Sequence, residues 1–235
     1  LPGTDASIIE AAGKAWPYAP EGWSDGPLPA HYEPQDSPVA NPLYAQQRNP
    51  VRQIDSVVHP DDRFAPSGNE PGADVYPYVL TTYRIAEHHT AGGMSRWSPY
   101  LAELAPDPFC EVSPELAGQR GLANGEWATI VSPRGAIEVR VLVPDRMARL
   151  RVQNAVVHQI GLPYHWGPNG LVSGDAANDL TSLVMDPNVH IMETKALSAD
   201  IRPGRRPRGP ARAELVEQYR RRAGITEDTG MEVRG

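Results

Sequence analysis

One stretch decides the fold class of this 235-residue chain: Trp127-Ala-Thr-Ile-Val-Ser-Pro-Arg-Gly-Ala-Ile-Glu-Val-Arg-Val-Leu-Val143. Its two halves are rich in Val and Ile, and a Pro-Arg-Gly turn separates them, which predicts two strands joined as a hairpin. In the second half, apolar residues from Ile137 to Val143 alternate with the polar Glu138 and Arg140. This period of two indicates a strand with one face buried in a core.

Further strands are expected on both sides of the hairpin. They are Tyr78–Arg84, Ala155–Ile160 and Lys195–Ile201. Two short helices are expected to begin at Ser98-Pro99 and at Ser113-Pro114, because each pair places a capping serine before a proline at the first helical position. Many short strands with few short helices predict a mainly β domain, a small closed barrel, over residues 76–203.

The composition sets two flanking segments apart from this domain. Residues 1–75 hold 12 of the 25 prolines and six scattered aromatic residues. They predict an extended, irregular arm that packs on partner domains, with a linker carrying chance aromatics as the alternative. Residues 204–235 predict a basic tail with a short helix over Ala211–Ala223. This tail is either an arm that docks on a partner or an acidic surface, or a solvated tail.

Composition also excludes several classes of protein. A single cysteine, Cys110, rules out a disulfide framework within the chain, a Cys-based zinc site and a self-contained iron–sulfur cluster, and its surroundings predict a buried strand residue. The net charge of −7 argues against nucleic-acid binding. No apolar run approaches the length of a membrane span. The first residues show no signal peptide, and because they lack Met we expect a processed or partial product, with the compartment (cytoplasm or periplasm) open.

A polar, Gly-rich loop follows the expected strand at Tyr78. Its sequence is Thr81-Thr-Tyr-Arg-Ile-Ala-Glu-His-His-Thr-Ala-Gly-Gly-Met-Ser-Arg96. Exposed backbone N–H groups in such a loop form a nest for anions, and Arg84 and Arg96 can add bidentate phosphate contacts. The loop therefore predicts a ligand with phosphates and a polar ring, and a purely structural loop is the alternative.

Two later stretches carry polar groups suited to a flat heterocycle. The run from His158 to Gly167 offers amide, imidazole, phenol and indole groups, although packing at a barrel end explains each ring equally well. Asn178 can bond a pterin or purine edge or cap a helix, and Lys195 can pair with a phosphate. The histidines lack the spacing of a helical metal site, so no metal ligated by this chain is expected.

In their order, these motifs resemble the C-terminal part of the catalytic subunit of molybdenum- or tungsten-dependent formate dehydrogenases. Those enzymes belong to the bis-molybdopterin guanine dinucleotide (bis-MGD) oxidoreductases. The similar stretches are Leu80–Arg96, Val157–Gly167, Asp175–Thr181, Asp186–His190 and Lys195, together with Gly26–Pro34 and Asn41–Tyr44. The resemblance implies a double-psi β-barrel that closes over the extended cofactor.

The same resemblance implies which residues contact the cofactor. They are Thr82, Tyr83, Arg84, Glu87, His88, His89, Thr90, Ala91, Gly92, His158, Gln159, His165, Trp166, Asn178 and Lys195. No catalytic residue and no metal ligand is expected in this chain. The [4Fe–4S] cluster and the selenocysteine or cysteine ligand of molybdenum or tungsten are expected on an upstream segment or a separate chain.

The function that the resemblance implies is part of a hetero-oligomeric formate dehydrogenase. The complex would oxidise formate to CO2 and pass two electrons to iron–sulfur clusters, and this chain alone would be inactive. Its expected partners are the N-terminal part of the catalytic subunit and an iron–sulfur electron-transfer subunit. Two alternatives stay open: the same role in another bis-MGD oxidoreductase such as nitrate reductase, and a non-catalytic barrel that serves as an assembly module.

Overall fold

A computed structural model describes most of the chain from residue 72 onward and a few residues before it. The described residues are 33–34, 37–39, 41, 43, 57–58, 72–152, 154–182, 184–185, 191–192 and 195–225. The expectations for the six aromatic residues of the arm and for Asp186–His190 lie outside the described residues.

The described elements are short strands with three helices. The strands are β1 Val57–Val58, β2 Tyr78–Tyr83, β3 Phe109–Val112, β4 Trp127–Val131, β5 Ala136–Leu142, β6 Leu150–Val152, β7 Ala155–Val157, β8 Gln159–Pro163, β9 Val184–Met185 and β10 Leu197–Pro203. The helices are α1 Pro99–Leu104, α2 Pro114–Arg120 and α3 Pro210–Arg222, with 3-10 turns at Ser95–Trp97 and Ala177–Asp179. Within this part of the chain, no helix is long and apolar enough to cross a membrane.

Six strands close into a barrel in the order β10-β2-β8-β3-β5-β4. Apolar residues from every one of these strands fill it, among them Leu80, Val112, Ile130, Val139 and Ile160, all of them buried. The closed barrel with few helices confirms the expected mainly β fold. Cys110 lies in this core, as expected, and burial raises the pKa of its thiol to about 12.

The pair β2 and β8 positions the site described below. These two strands run parallel, with Val79 opposite Gln159 and Tyr83 opposite Pro163. Because parallel strands end at the same edge, the segments that follow β2 and β8 begin side by side. Strand β10 pairs antiparallel with the other side of β2, so the residues just before β10 reach the same edge.

Local signals place the hairpin and the first two helices where the sequence predicted them. Strands β4 and β5 form the expected antiparallel pair. Helix α1 begins at Pro99, and α2 begins at Pro114 after Ser113, whose Oγ accepts a hydrogen bond of 3.1 Å from the N–H of Leu116. Helix α2 ends at Gly121 with a φ of +64°, a backbone conformation that suits glycine.

Two expected strands have different bounds in the structure. The strand expected at Ala155–Ile160 is interrupted at His158: β7 pairs with β6 in a separate ribbon, whereas β8 belongs to the barrel. His158 stands at this change of partner, and its carbonyl oxygen accepts a 3.2 Å hydrogen bond from the N–H of Val79. The last strand begins at Leu197 rather than at Lys195 and continues to Pro203.

Helix α3 packs on the barrel of its own chain. Its buried residues Leu215, Val216 and Tyr219 contact Tyr76 and Val131 in a second apolar cluster. The hydroxyl of Tyr219 donates a 2.9 Å hydrogen bond to Asp200 of β10. The described part of the tail therefore completes the domain, an arrangement that neither sequence-based alternative had specified.

The basic residues before α3 pair with carboxylates of the barrel domain. Arg206 bonds both carboxylate oxygens of Asp175, at 2.5 and 2.6 Å. Arg205 and Arg208 both contact Glu138. Burial alone would raise the pKa of Glu138 and that of Asp175. The hydrogen bonds to arginine outweigh it and hold both pKa values below their ordinary values. Each of these three arginines thus has a carboxylate partner within the chain, with Glu138 shared by two of them.

We expect Leu215→Ala to destabilise the whole domain, since a 13-residue helix depends on packing for its stability. Removing this buried side chain should lower the free energy of unfolding by about 2–4 kcal/mol. The measurement is urea unfolding followed by far-UV circular dichroism. Glu214→Ala, at the exposed neighbouring position, is the control and should change the free energy by less than about 0.5 kcal/mol. Equal effects of the two variants would contradict the packing of α3.

Candidate functional site

Two cationic side chains converge on one aromatic ring at the edge where β2 and β8 end. The guanidinium carbon of Arg84 lies 5.2 Å from the ring centroid of Tyr164, and Nζ of Lys195 lies 5.7 Å from the same centroid. Arg84 also donates a hydrogen bond from Nε to the Tyr164 hydroxyl. Arg84 and Lys195 are exposed and Tyr164 is half-buried. We call these three residues the cation cluster.

Strand pairing explains why residues far apart in sequence meet here. Arg84 directly follows β2 and Tyr164 directly follows β8, and the parallel register places Tyr83 opposite Pro163. Lys195 precedes β10, whose Leu197 lies opposite Leu80 of β2. The cluster is therefore a property of the sheet register and not of any local motif.

Neither cation of the cluster has a carboxylate partner among the described residues. The ion pairs there involve other arginines, such as Arg120 with Asp200 and Arg206 with Asp175. Two unpaired positive charges beside an aromatic face leave donors free for an anionic ligand. The cluster is thus a place where phosphate groups can bind.

His165 makes a hydrogen bond near each end of the loop that follows β2. The backbone N–H of Ile85 donates a 2.9 Å hydrogen bond to His165 Nε2, so this nitrogen carries no proton. Nδ1 carries the proton instead and donates to the carbonyl oxygen of Thr90. Burial lowers the pKa of His165, which matches a neutral ring with this tautomer. Loop geometry between Ile85 and Thr90 therefore depends on an uncharged His165.

Arg96 has a structural role, which corrects the expectation that it contacts phosphate. Its side chain is buried and donates to three backbone carbonyl oxygens: 2.8 Å to Asn169, 2.6 Å to Ala91, and a third to His165. Burial lowers the pKa of this guanidinium. A Cβ at Gly92, where φ is +74°, would collide with the His165 carbonyl oxygen, so this junction leaves room for glycine alone.

His88 is the second buried anchor of the loop. Its Nε2 donates a 3.0 Å hydrogen bond to the carbonyl oxygen of Ala105, and its Nδ1 accepts from the Ser95 hydroxyl at 3.1 Å. Ser95 Oγ also accepts a hydrogen bond from the backbone N–H of His89. The ring of His88 meets the ring of Trp166 edge-on, with centroids 5.4 Å apart. These contacts use both ring nitrogens within the protein.

The exposed part of the loop lies between these anchors. His89, Thr90 and Ala91 are exposed, and Thr90 has a positive φ of 47°, which is uncommon for a residue with a branched side chain. Glu87 is half-buried. The anchored loop thus exposes the side chains of His89 and Thr90 to the solvent.

The two residues that precede Arg84 belong to β2. Thr82 is buried, and the Tyr83 hydroxyl donates a 2.7 Å hydrogen bond to Glu111. Burial, together with that hydrogen bond, raises the pKa of Tyr83 well above its ordinary value. Neither side chain is exposed, whereas Arg84 and Lys195 are.

Three other sequence-predicted residues lie apart from the cation cluster. His158 and Gln159 stand at the beginning of β8, about 13 Å along the strand from its end. His158 is buried, contacts Ser113 and has a pKa lowered by burial. Asn178 is exposed in a 3-10 turn that lies beside β5.

Sequence reasoning missed two features of the site. The sequence offers a phenol in the run His158–Gly167, but no signal in it shows that both cations meet on the ring of Tyr164. Trp166 is buried, and its indole N–H has no hydrogen-bond partner among the described residues. Within the same residues, no group of three His, Cys, Asp or Glu side chains is placed to hold a metal ion.

The neutral state of His165 makes stability depend on pH. Because folding lowers its pKa, the unfolded chain binds more protons, and the contribution of His165 is present above about pH 6.5 and is lost below it. We expect the free energy of unfolding to fall between pH 7.5 and 5.5 less steeply in His165→Gln than in the wild type. The difference should not exceed about 1.4 kcal/mol per pH unit.

Urea unfolding at the two pH values measures this difference. His89→Gln is the matched control: this exposed neighbour should keep the wild-type pH dependence. His158, whose pKa burial also lowers, contributes equally to all three proteins. The same pH dependence in His165→Gln and in the wild type would show that the ring does not titrate as its hydrogen bonds require.

Comparison with known proteins identifies the family. The family model described as "Molydopterin dinucleotide binding domain" matches residues 78–198, a range that contains Arg84, Tyr164 and Lys195. The chain is 38% identical to the formate dehydrogenase subunit alpha of Megalodesulfovibrio gigas, over 85% of this chain and 19% of that protein.

Two further relatives agree. The formate dehydrogenase 2 subunit alpha (cytochrome c-553) of Nitratidesulfovibrio vulgaris is 36% identical over 77% of this chain and 17% of its own length. The formate dehydrogenase-O major subunit of Escherichia coli is 33% identical over 85% of this chain and 19% of its own length. The chain spans about a fifth of the length of these curated relatives. The chain belongs to the family of molydopterin dinucleotide binding domains.

Proposed function

We propose that this chain is the part of a formate dehydrogenase that closes over a bis-MGD cofactor carrying molybdenum or tungsten. The observation that supports this most is the cation cluster: two cations on one ring, neither with a carboxylate partner among the described residues, within the range of the family match. In this proposal the assembled enzyme oxidises formate to CO2 and passes two electrons to iron–sulfur clusters. Formate is proposed as the substrate because the relatives are formate dehydrogenase subunits.

The donors at the site fit the chemistry of a dinucleotide. Its phosphates need cations that are not already paired, and Arg84 and Lys195 meet that need. A guanidinium offers two parallel donors to a phosphate, and an ammonium offers a compact charge. The hydroxyl of the exposed Thr90 adds a neutral donor beside them.

In this proposal, some residues of the site bind the cofactor, and others hold the loop after β2 in its conformation. Arg84 and Lys195 bind phosphate groups, and the exposed His89 and Thr90 face the cofactor. His88 and His165 hold the loop through hydrogen bonds on both ring nitrogens, and with them Arg96 fixes its geometry. Cofactor contacts by His158, Gln159 and Asn178 remain predictions. Bound in place, the metal centre would supply the two-electron chemistry, while this chain orients the cofactor.

In this proposal, the remaining parts of the enzyme lie outside these 235 residues. A [4Fe–4S] cluster needs four thiolates, whereas this sequence has Cys110 alone, buried in the barrel. In the proposal, the cluster and the cysteine or selenocysteine ligand of the metal lie on an upstream segment or a separate chain. That segment and an iron–sulfur electron-transfer subunit are the proposed partners.

Removing the cations should weaken retention of the cofactor. We expect Arg84→Ala and Lys195→Ala, made in the complex with the remainder of the catalytic polypeptide, each to lose about 1.5–3 kcal/mol of binding, or at least tenfold in affinity. The measurements are molybdenum and tungsten by elemental analysis, and pterin and GMP released on denaturation. Arg151→Ala, at an exposed arginine of β6, is the matched control and should retain the full content.

Unchanged metal and pterin contents in the Arg84→Ala/Lys195→Ala double variant would refute the proposed site. They would favour a barrel that serves assembly without holding the cofactor. Assays of the loaded complex with formate and with nitrate separate the proposed substrate from that of a nitrate reductase. Turnover of nitrate without turnover of formate would overturn the formate proposal and leave the cofactor site intact.

A further inference from the structure

A short helical unit near the site turns its apolar side toward the solvent. The unit comprises the 3-10 turn Ser95–Trp97 and helix α1. Met94 is 77% exposed, Trp97 59%, Tyr100 80% and Leu104 71%. Within α1, Tyr100 and Leu104 lie four residues apart, the spacing that places both side chains on one helical face. Met94 and Trp97 lie at the two ends of the preceding 3-10 turn, which the extended residue Ser98 joins to α1.

Helix α1 buries little of its large apolar surface. Ala102 and, just after the helix, Ala105 are buried and Leu101 is half-buried, whereas the large Tyr100 and Leu104 are exposed. A surface helix ordinarily turns its large apolar residues toward the core, as α3 does with Leu215 and Tyr219. The inverted pattern of α1 therefore indicates a second surface against which the outer side is buried.

The unit is held firmly by the same contacts that anchor the loop. Arg96, at its centre, is buried and bonded to three carbonyl oxygens. Its own carbonyl oxygen accepts a 2.9 Å hydrogen bond from the N–H of Leu171, a residue that is 58% exposed. Leu171 therefore joins Met94, Trp97, Tyr100 and Leu104, and we call these five residues the apolar patch. The patch is ordered before any partner binds it, which lowers the entropic cost of binding.

The charge pattern indicates what kind of surface the patch contacts. Glu103 is the exposed charged residue of 94–104, and the one cation there, Arg96, is buried. Helices that lie on membranes carry Lys and Arg along their polar side, and this unit has none exposed. Aromatic and Met side chains with few charges are typical of the centre of a protein–protein interface.

We propose that the apolar patch docks on an apolar face of the polypeptide that carries the rest of the catalytic subunit. The inference rests on the proposed function. The chain spans 17–19% of the relatives' length, so about four fifths of such a subunit lies outside it. The patch also adjoins the loop of the cation cluster through Arg96, so a partner seated there borders the cofactor. A docked partner of this kind removes five large apolar side chains from water.

Hydroxyl-radical footprinting tests the docking directly, because Met, Trp and Tyr are readily oxidised when exposed. Oxidation of Met94, Trp97 and Tyr100 should fall several-fold in the complex with the remainder of the catalytic polypeptide, relative to the full chain alone. Met192, exposed elsewhere in the chain, is the internal control and should remain reactive. Undiminished oxidation of the patch in the complex would overturn the proposal.

A charge placed in the patch gives a second measurement. Tyr100→Arg should weaken association with the partner polypeptide, as measured by sedimentation, at least tenfold, because it would bury an unpaired charge. Val156→Arg, on the exposed ribbon, is the matched control and should associate as the wild type does. Both positions are on the surface, so circular dichroism should show unchanged folding.

The outcomes separate this inference from the proposed function. If Tyr100→Arg associates normally in a complex that holds metal and oxidises formate, the patch proposal is wrong and the proposed function stands. If the patch is protected in a complex that holds no pterin, docking stands and the proposed function fails. If protection arises when the chain alone is concentrated, a second copy is the occupant and the proposal is overturned.

Discussion

The parallel pairing of β2 with β8 is the constraint on which the rest of the site depends. Because both strands end at one edge, the segments after them are neighbours although about 80 residues of sequence separate them. That adjacency lets His165, after β8, bond both ends of the loop after β2. It also brings Tyr164 beneath Arg84, and the antiparallel β10 adds Lys195 from the other side.

Buried polar groups then fix the loop that this pairing creates. A polar group inside a protein is costly unless it is hydrogen-bonded, and His88, His165 and Arg96 all meet this condition. Histidine suits the task because its neutral ring donates from one nitrogen and accepts at the other. The exposed residues between these anchors face the solvent. In the proposed function, the loop is therefore ordered by one set of side chains and contacts the cofactor through another.

Local signals in the sequence predicted much of the fold, and non-local pairing accounts for what they missed. Prolines set the first turns of α1 and α2, Ser113 caps α2, and alternation sets β5, because these patterns lie within a few residues. The break at His158 and the role of Arg96 depend on partners far along the chain. For the site, the sequence predicted Arg84 and Lys195 individually, but their meeting on Tyr164 requires the register of three strands.

One residue, Arg96, contacts both the loop of the cation cluster and the apolar patch, so the two surfaces cannot vary independently. Arg96 bonds the carbonyl oxygen of Ala91 in the loop, while its own carbonyl oxygen bonds Leu171 in the patch. A partner that favours one arrangement of the helical unit therefore also favours one arrangement of the loop. In the proposed function, the cofactor binds at the loop and the partner at the patch. Linkage then makes any effect of one on the affinity of the other reciprocal.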